Sequence, residues 1–157
     1  MQRYNVCEID LAAIRHNVGV MKSHIAGGAK FLAVVKADAY GHGAVPVAKA
    51  TLEAGADMLA VAIPEEGIEL RNAGIAAPIL VLGGIEESAA EAVVQYNLTQ
   101  VVFDESRIRA LAQAGRKLGQ NAQVHLKLDT GMNRIGVRWD EVVEFARQIS
   151  FHRALDL

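Results

Sequence analysis

Short runs of hydrophobic residues alternate along this chain with longer stretches in which hydrophobic positions recur every three or four residues. The short runs are typical of buried strands, and the longer stretches are typical of amphipathic helices. Because strands and helices alternate, the pattern indicates an α/β fold in which repeated βα units surround a parallel sheet. The predicted strands span residues 31–35, 58–61, 79–82, 100–103 and 124–128.

The helices between these strands are marked by residues that favour helix ends. Asp10 is expected to cap a helix over residues 11–24, which follows a short extended segment at 6–9. Pro64 begins another helix with acidic residues in its first turn, and Gly74 ends it. The sequence therefore predicts an N-terminal strand-helix appendage ahead of the first βα unit.

Similar signals divide the second half of the chain. Ser88 begins a capping-box pattern that lies either one turn inside a helix or at its start. Gly119 ends the following helix, and Asp140 is expected to cap the last one, over residues 141–150. Residues 154–157 resemble the beginning of a sixth strand.

A total of about five βα units suits two architectures. One is an open doubly wound sheet and the other is part of a (β/α)₈ TIM barrel, and hydrophobic periodicity does not separate them. A complete barrel needs about 250 residues, whereas this chain has 157. A barrel therefore implies one incomplete domain over residues 1–157, with open strand edges that favour association or low stability.

Composition narrows the kind of ligand. Hydrophobic residues make up 52% of the chain, which is enough for one domain with a real core. Lys and Arg number 16 against 18 Asp and Glu, and no basic stripe of the kind that binds nucleic acid occurs. No hydrophobic stretch approaches membrane-spanning length. We therefore expect a small-molecule ligand, with no nucleic-acid or membrane partner.

Cys7 is the only cysteine in the sequence, so no internal disulfide can form. A single cysteine fits a reducing compartment, and no cationic start followed by a hydrophobic region marks a secretory signal. We therefore expect the cytoplasm as the location. The hydrophobic residues around Cys7 predict a packed thiol rather than a nucleophile.

Lys36 ends the hydrophobic run of the first predicted strand. Burying an unpaired ammonium is costly, so this position favours a specific role; alternatively, only the stem is packed and the amine lies in water. Ligands of α/β folds bind at the carboxyl ends of the strands, where this lysine is expected to lie. Polar side chains and turn-forming glycines follow it: Asp38, Tyr40, Gly41, His42 and Gly43.

A second polar segment, residues 124–136, contains Lys127, Asp129 and Arg134. Together with the Lys36 segment, it resembles the alanine racemases, which are pyridoxal-phosphate enzymes whose N-terminal domain is a (β/α)₈ barrel. The resemblance extends over most of the chain but only over about the first half of a family member. Further matches are residues 8–11, Asn17, residues 54–57, Val61, Ala62, Glu66, Leu70 and Arg71.

The resemblance implies a role for each of four side chains. It makes Lys36 the Schiff-base lysine, which carries pyridoxal 5′-phosphate and acts as a base once the substrate amine displaces it. It places Tyr40 near the cofactor phosphate. It makes Arg134 a partner of the substrate carboxylate, close to the cofactor ring oxygen. It makes Lys127 a lysine that is often carbamylated in the family, which turns it into an anion that positions Arg134.

The implied reaction is the interconversion of L-alanine and D-alanine, which supplies D-alanine for peptidoglycan. In the family, a second base is a tyrosine from the partner subunit's C-terminal β domain, and no segment here matches that domain. We therefore expect the isolated chain to be inactive and a full-length member to be a homodimer. Two other functions stay open: a related serine or broad-specificity amino-acid racemase, and a non-catalytic pyridoxal-phosphate-binding domain.

Two other kinds of site are disfavoured by spacing. His42 and His125 lack the spacing of metal-binding histidines, so we expect no metal site. Asp129 begins an Asp-Thr-Gly triplet like that of aspartic proteases, but those enzymes need two carboxylates that share a proton. This chain carries the triplet once, within a βα pattern.

Overall fold

The computed structural model describes residues 5–157. Helices and parallel strands alternate along these residues, as the hydrophobic pattern predicts. The elements, in chain order, are α1 (Leu11–Ser23), β1 (Leu32–Val34), α2 (Lys36–Gly41), α3 (Ala44–Glu53), β2 (Met58–Val61), α4 (Pro64–Asn72), β3 (Ile79–Val81), a 3₁₀ turn (Glu87–Ala89), α5 (Ala90–Gln95), β4 (Thr99–Val102), α6 (Glu105–Leu118), β5 (Ala122–Leu126), α7 (Val142–Phe151) and β6 (Leu155–Asp156).

The strands form one parallel sheet in the order β1-β2-β3-β4-β5-β6. Each strand therefore lies next to the strand that follows it in the chain, with pairs such as Leu32 opposite Met58 and Val61 opposite Val81. A doubly wound sheet reverses its strand order at a switch point, whereas a (β/α)₈ barrel does not. The strand order confirms the α/β prediction and the partial barrel that the family resemblance implies, and it excludes the doubly wound alternative.

The core has two layers because successive side chains of a strand point to opposite faces. Leu59 and Val61 are 0% and 1% exposed and pack against the helices, together with helix residues such as Leu70. Ala60, between them in sequence, packs on the other face with Leu80. Both faces of the strands are thus covered by hydrophobic side chains. This arrangement explains why the strands read as continuous hydrophobic runs rather than as alternating ones.

Several helix ends lie where the sequence predicts them. The Asp10 carboxylate accepts hydrogen bonds from the backbone N–H groups of Ala12 and Ala13, at 2.8 and 3.1 Å, and caps α1. Helix α4 begins at Pro64. Helix α6 ends at Gly119, whose φ of 67° is left-handed and suits glycine. The sixth strand is also confirmed, since Leu155 pairs in parallel with Ala122.

Two predicted helix starts differ from the structure. Asp140 does not cap α7, because both of its carboxylate oxygens accept hydrogen bonds from Arg138, at 3.0 and 2.7 Å, and Glu141 holds the cap position instead. Ser88 lies in the 3₁₀ turn that leads into α5, and its side chain caps neither element. Neither place therefore has the expected side-chain cap, and at Asp140 the contact with Arg138 takes its place.

The N-terminal segment also differs from expectation. Residues 6–9 form no strand, and Cys7 is exposed rather than packed. The hydrophobic residues around Cys7 do not bury it, since Val6 is 78% exposed. Within residues 5–157, no helix is both long enough and hydrophobic enough to cross a membrane.

Candidate active site

A left-handed turn follows β1 at the carboxyl edge of the sheet. Four consecutive residues, Ala37, Asp38, Ala39 and Tyr40, have φ values of 51–56° within the short segment α2. This conformation costs about 1–2 kcal/mol for each residue other than glycine, and such residues normally adopt it singly. A run of four requires contacts that hold it in place. Strained backbone of this kind is concentrated at functional sites.

The turn places Tyr40 beside the amine of Lys36. Lys36 is half-buried, whereas the Tyr40 side chain is exposed. The Lys36 Nζ atom lies 5.9 Å from the centroid of the Tyr40 ring, within the range of a cation–π contact. Among residues 5–157, no carboxylate forms an ion pair with Lys36. The structure therefore brings together two of the predicted site residues.

Asp38 holds the exit of the turn. Its carboxylate accepts a hydrogen bond from the Ala44 backbone N–H at 2.6 Å, at the first residue of α3. Its carbonyl oxygen accepts a second one from the Gly43 N–H at 2.9 Å. Gly43 itself has a φ of 90°, which a side chain would disfavour. Asp38 thus serves as a helix cap from outside the helix, a role that the sequence pattern did not reveal.

Glu66 holds the entrance of the turn. Its Oε1 atom accepts a hydrogen bond from the Ala37 N–H at 2.7 Å, and its Oε2 atom accepts one from the Ala62 N–H at 2.6 Å. Glu66 matches the family pattern, but sequence reasoning assigned it no role. Its signal was an acid in the first turn of a helix that begins immediately after a strand, at Pro64.

The other predicted residues lie on a closed loop after β5. The Val137 N–H donates to the Lys127 carbonyl at 2.8 Å, and the Asp129 N–H donates to the Val137 carbonyl at 2.9 Å. Within the loop, the Asp129 carboxylate accepts hydrogen bonds from the N–H groups of Gly131 and Asn133, at 2.9 and 3.0 Å. The Asp-Thr-Gly triplet therefore organises this loop.

These contacts change the acidity of Asp129. The hydrogen bonds from the backbone of Gly131 and Asn133 lower the pKa of the carboxyl group below its usual value, and the positive charge of Lys127 adds to the effect. The carboxylate is therefore the stable form at neutral pH. It supplies a fixed negative charge next to Lys127.

Lys127 and Arg134 line one surface concavity together with Asp129. Lys127 is half-buried and Arg134 is exposed. Among residues 5–157, no hydrogen bond or ion pair joins Lys127 to Arg134, or joins either of them to Lys36 or Tyr40. Lys127 and Arg134 are separated from Lys36 and Tyr40 because β1 and β5 have three strands between them. The site is thus two pairs of side chains along the same strand ends.

His42 contacts the backbone of its own segment. The Nδ1 atom of His42 lies 3.0 Å from the Ala39 carbonyl oxygen, as in an ordinary hydrogen-bonded histidine. In the part of the chain that the structure describes, no group of three or more His, Cys, Asp or Glu side chains could hold a metal ion.

Comparison with known proteins identifies the family to which the chain belongs. The sequence model for "Alanine racemase, N-terminal domain" matches residues 9–157. The chain belongs to the alanine racemase N-terminal domain family. This match confirms the family expected from the two polar segments. The alanine racemases are pyridoxal-phosphate-dependent enzymes.

Curated relatives match this family member over most of its length. An alanine racemase of Symbiobacterium thermophilum is 51% identical over 143 residues, which are 91% of this chain and 38% of the relative. One from Geobacter sp. (strain M21) is 41% identical over 157 residues, which are 99% of this chain and 41% of the relative. The chain thus spans about two fifths of the length of the relatives it matches.

Solved structures show the same fold. The alanine racemase of Clostridium difficile 630 superposes with a TM-score of 0.92 at 38% identity, covering 99% of this chain and 42% of that one. The alanine racemase of Bacillus anthracis with bound L-Ala-P gives a TM-score of 0.86 at 38% identity, covering 95% of this chain and 39% of that one. The partial barrel therefore corresponds to part of the barrel domain of these enzymes.

Proposed function

We propose that this chain is the cofactor-bearing part of an alanine racemase, a pyridoxal-phosphate-dependent isomerase that interconverts L-alanine and D-alanine for D-alanine and peptidoglycan synthesis. One observation carries the proposal. In a member of the alanine racemase family, Lys36 lies at the carboxyl end of β1, with its amine 5.9 Å from the ring centroid of Tyr40. This edge of a parallel barrel is where catalytic residues lie.

The chemistry of Lys36 fits the cofactor. Pyridoxal phosphate, when bound, supplies an aldehyde for a lysine amine and a ring that withdraws electrons from the α-carbon of an amino acid. The Lys36 amine forms no ion pair among the described residues, so it would be available to hold the aldehyde. Lys36 would also take the α-proton of alanine, or return one, on one face of the substrate.

The three remaining side chains have complementary roles in this proposal. The exposed Tyr40 phenol would hold the cofactor phosphate as a hydrogen-bond donor. The exposed Arg134 guanidinium would bind the substrate carboxylate, for which its planar fork is suited. Lys127, in the same concavity as Arg134, is the candidate for carbamylation, which would place an anion close to Arg134.

The first test asks where the cofactor attaches. The purified chain is incubated with pyridoxal phosphate and reduced with borohydride, and the modified peptide is identified by mass spectrometry. We expect modification at Lys36 and its loss in Lys36→Ala. Two outcomes would contradict the proposal. One is equal modification of several lysines, and the other is a total extent of modification in Lys36→Ala that equals that of the unaltered chain.

The second test asks whether Lys36 moves the α-proton. With cofactor bound, exchange of the α-hydrogen of alanine for deuterium is followed by NMR in D₂O for L-alanine, D-alanine and L-serine. Exchange of an alanine enantiomer above the rate of free cofactor, abolished in Lys36→Ala, supports the proposal. Faster exchange of serine than of alanine would favour a serine or broad-specificity racemase instead.

We also propose that the functional protein is a homodimer that acts on a small amino acid in the cytoplasm. The alanine racemase relatives support the dimer and the substrate class. The single cysteine supports a reducing compartment. Sedimentation equilibrium of the protein from its native source measures the dimer directly.

A further inference from the structure

We propose that Glu66 is a positioning residue for Lys36: its carboxylate fixes the first peptide group of the left-handed turn, and thereby the backbone from which Lys36 projects. The inference rests on the proposed function of Lys36 and extends it to a side chain that reaches the site from a different βα unit. Glu66 lies in the first turn of α4, whereas Lys36 follows β1.

The two oxygens of Glu66 bind two separate strand ends. The Oε1 atom accepts the Ala37 N–H at 2.7 Å, at the end of β1. The Oε2 atom accepts the Ala62 N–H at 2.6 Å and contacts the Ile63 N–H at 3.4 Å, at the end of β2. One carboxylate therefore ties the entrance of the left-handed turn to the neighbouring βα loop.

The bond to Ala37 acts directly on Lys36. The Ala37 N–H belongs to the peptide group that joins Lys36 to the turn, so its direction sets the backbone of Lys36 on that side. On the other side, the Val35 N–H donates to the Ala60 carbonyl at 2.8 Å and holds the residue before Lys36 to β2. Lys36 is thus held between two anchored peptide groups.

A carboxylate suits this position better than any other side chain. Its two oxygens accept several N–H groups at once, and hydrogen bonds to a charged acceptor are stronger than those to a neutral one. Glutamine keeps the shape but has one carbonyl oxygen, so its amide nitrogen would face a backbone N–H. Glu66→Gln therefore removes one of the two anchors with little change in volume.

If Glu66 served only to stabilise α4, the effect of its loss would be confined to that helix. Glu66 accepts N–H groups that precede the helix, so its loss also weakens the start of α4. Glu65 offers a matched control, because it is an exposed acid in the same first turn and forms no hydrogen bond or ion pair among the described residues. Glu65→Gln removes the same charge near the helix N-terminus but leaves the link to Ala37 intact.

The first measurement is amide hydrogen exchange of the 157-residue chain without cofactor. We expect Glu66→Gln to speed exchange in residues 37–41 by about tenfold or more relative to Glu65→Gln, with a smaller change in residues 67–72 of α4. Equal loss of protection in the two segments, or unchanged exchange in residues 37–41, would overturn the inference.

The second measurement is the rate at which pyridoxal phosphate becomes attached to Lys36, trapped with borohydride and located by mass spectrometry. We expect Glu66→Gln to slow attachment by about tenfold or more, because small displacements of a reacting group have large effects on rate. Glu66→Asp, which keeps the carboxylate, should recover part of the rate. Attachment at the rate of Glu65→Gln would count against the inference.

The two measurements separate this inference from the proposed function. If the unaltered chain takes up no cofactor at Lys36, the proposed function fails, and hydrogen exchange alone still decides whether Glu66 holds the turn. If the unaltered chain is modified at Lys36 but Glu66→Gln behaves like Glu65→Gln in both measurements, the role of Glu66 fails and the proposed function stands.

Discussion

Gly136 lies directly against the backbone of Asp129. A Cβ atom at Gly136 would stand 2.5 Å from the Asp129 nitrogen and 2.6 Å from the Leu128 carbonyl carbon. Backbone atoms cannot move aside as the end of a flexible side chain can. This close approach closes the loop that carries Arg134, because Val137, the next residue, exchanges hydrogen bonds with Lys127 and Asp129.

We therefore predict that Gly136→Ala destabilises the protein strongly. The added methyl group collides with the loop backbone, and the φ of 128° is itself unfavourable for alanine. We expect the free energy of unfolding to fall by more than about 2 kcal/mol, measured by urea unfolding. Gly131→Ala is the matched control, since its φ is 121° but no atom lies within 4 Å of the added Cβ. Equal losses in the two variants would show that the close approach is unimportant.

Asp129 should make stability depend on pH in the acidic range. Hydrogen bonds from Gly131 and Asn133 lower its pKa in the folded state, so the folded protein holds the ionised form more tightly than the unfolded chain does. This stabilisation is fully present above the unfolded pKa of about 3.9 and is lost as the pH falls through the lower, folded value. Urea unfolding between neutral and acidic pH measures it. In Asp129→Asn that part of the pH dependence should disappear; an unchanged profile would contradict the prediction.

Arg71 is predicted to stabilise the sheet at the amino ends of β3 and β4, opposite the edge where Lys36 lies. Its guanidinium group is partly buried and donates hydrogen bonds of 2.7–2.9 Å to four backbone carbonyl oxygens, those of Ile75, Ala77, Tyr96 and Asn97. Arg71→Met leaves these carbonyl groups without their donor, so we expect the free energy of unfolding to fall by about 2–3 kcal/mol.

Arg109 provides the comparison for Arg71. It forms an exposed ion pair with Glu105, at 2.8 Å, on the surface of α6. Exposed pairs one helical turn apart contribute about 0.3–0.5 kcal/mol, so Arg109→Met should change urea unfolding very little. A loss as large as that of Arg71→Met would show that the charge, rather than the four carbonyl contacts, accounts for the effect.

Much of the fold follows from features that are local in sequence. The predicted bounds of β2 are the observed ones, Met58–Val61, because the hydrophobic run and its flanking residues act over short distances. The same holds for the cap at Asp10 and the left-handed end at Gly119. Where a competing contact was available, local signals were not enough: Arg138 holds Asp140, which therefore does not cap α7.

The site was predicted less completely. The sequence placed Lys36 at a strand end with Tyr40 close by, and the structure has the Lys36 amine near the Tyr40 ring. It did not predict the left-handed turn, because four such residues in succession are unfavourable for the isolated chain. The contact that holds the entrance of this turn comes from Glu66, which is 29 residues from Ala37 in the sequence.

The sequence by itself determined the order of strands and helices, the main helix ends and the family motifs around Lys36 and Lys127, since each depends on nearby residues. Hydrophobic periodicity left the barrel and the doubly wound sheet open, because it does not record which strands are neighbours, and the family resemblance implied the barrel. The tertiary structure confirmed it by showing the order of the strands. It also decided how Lys36 is held. A strained turn persists only when contacts from elsewhere in the fold, here the Glu66 carboxylate, compensate for its cost.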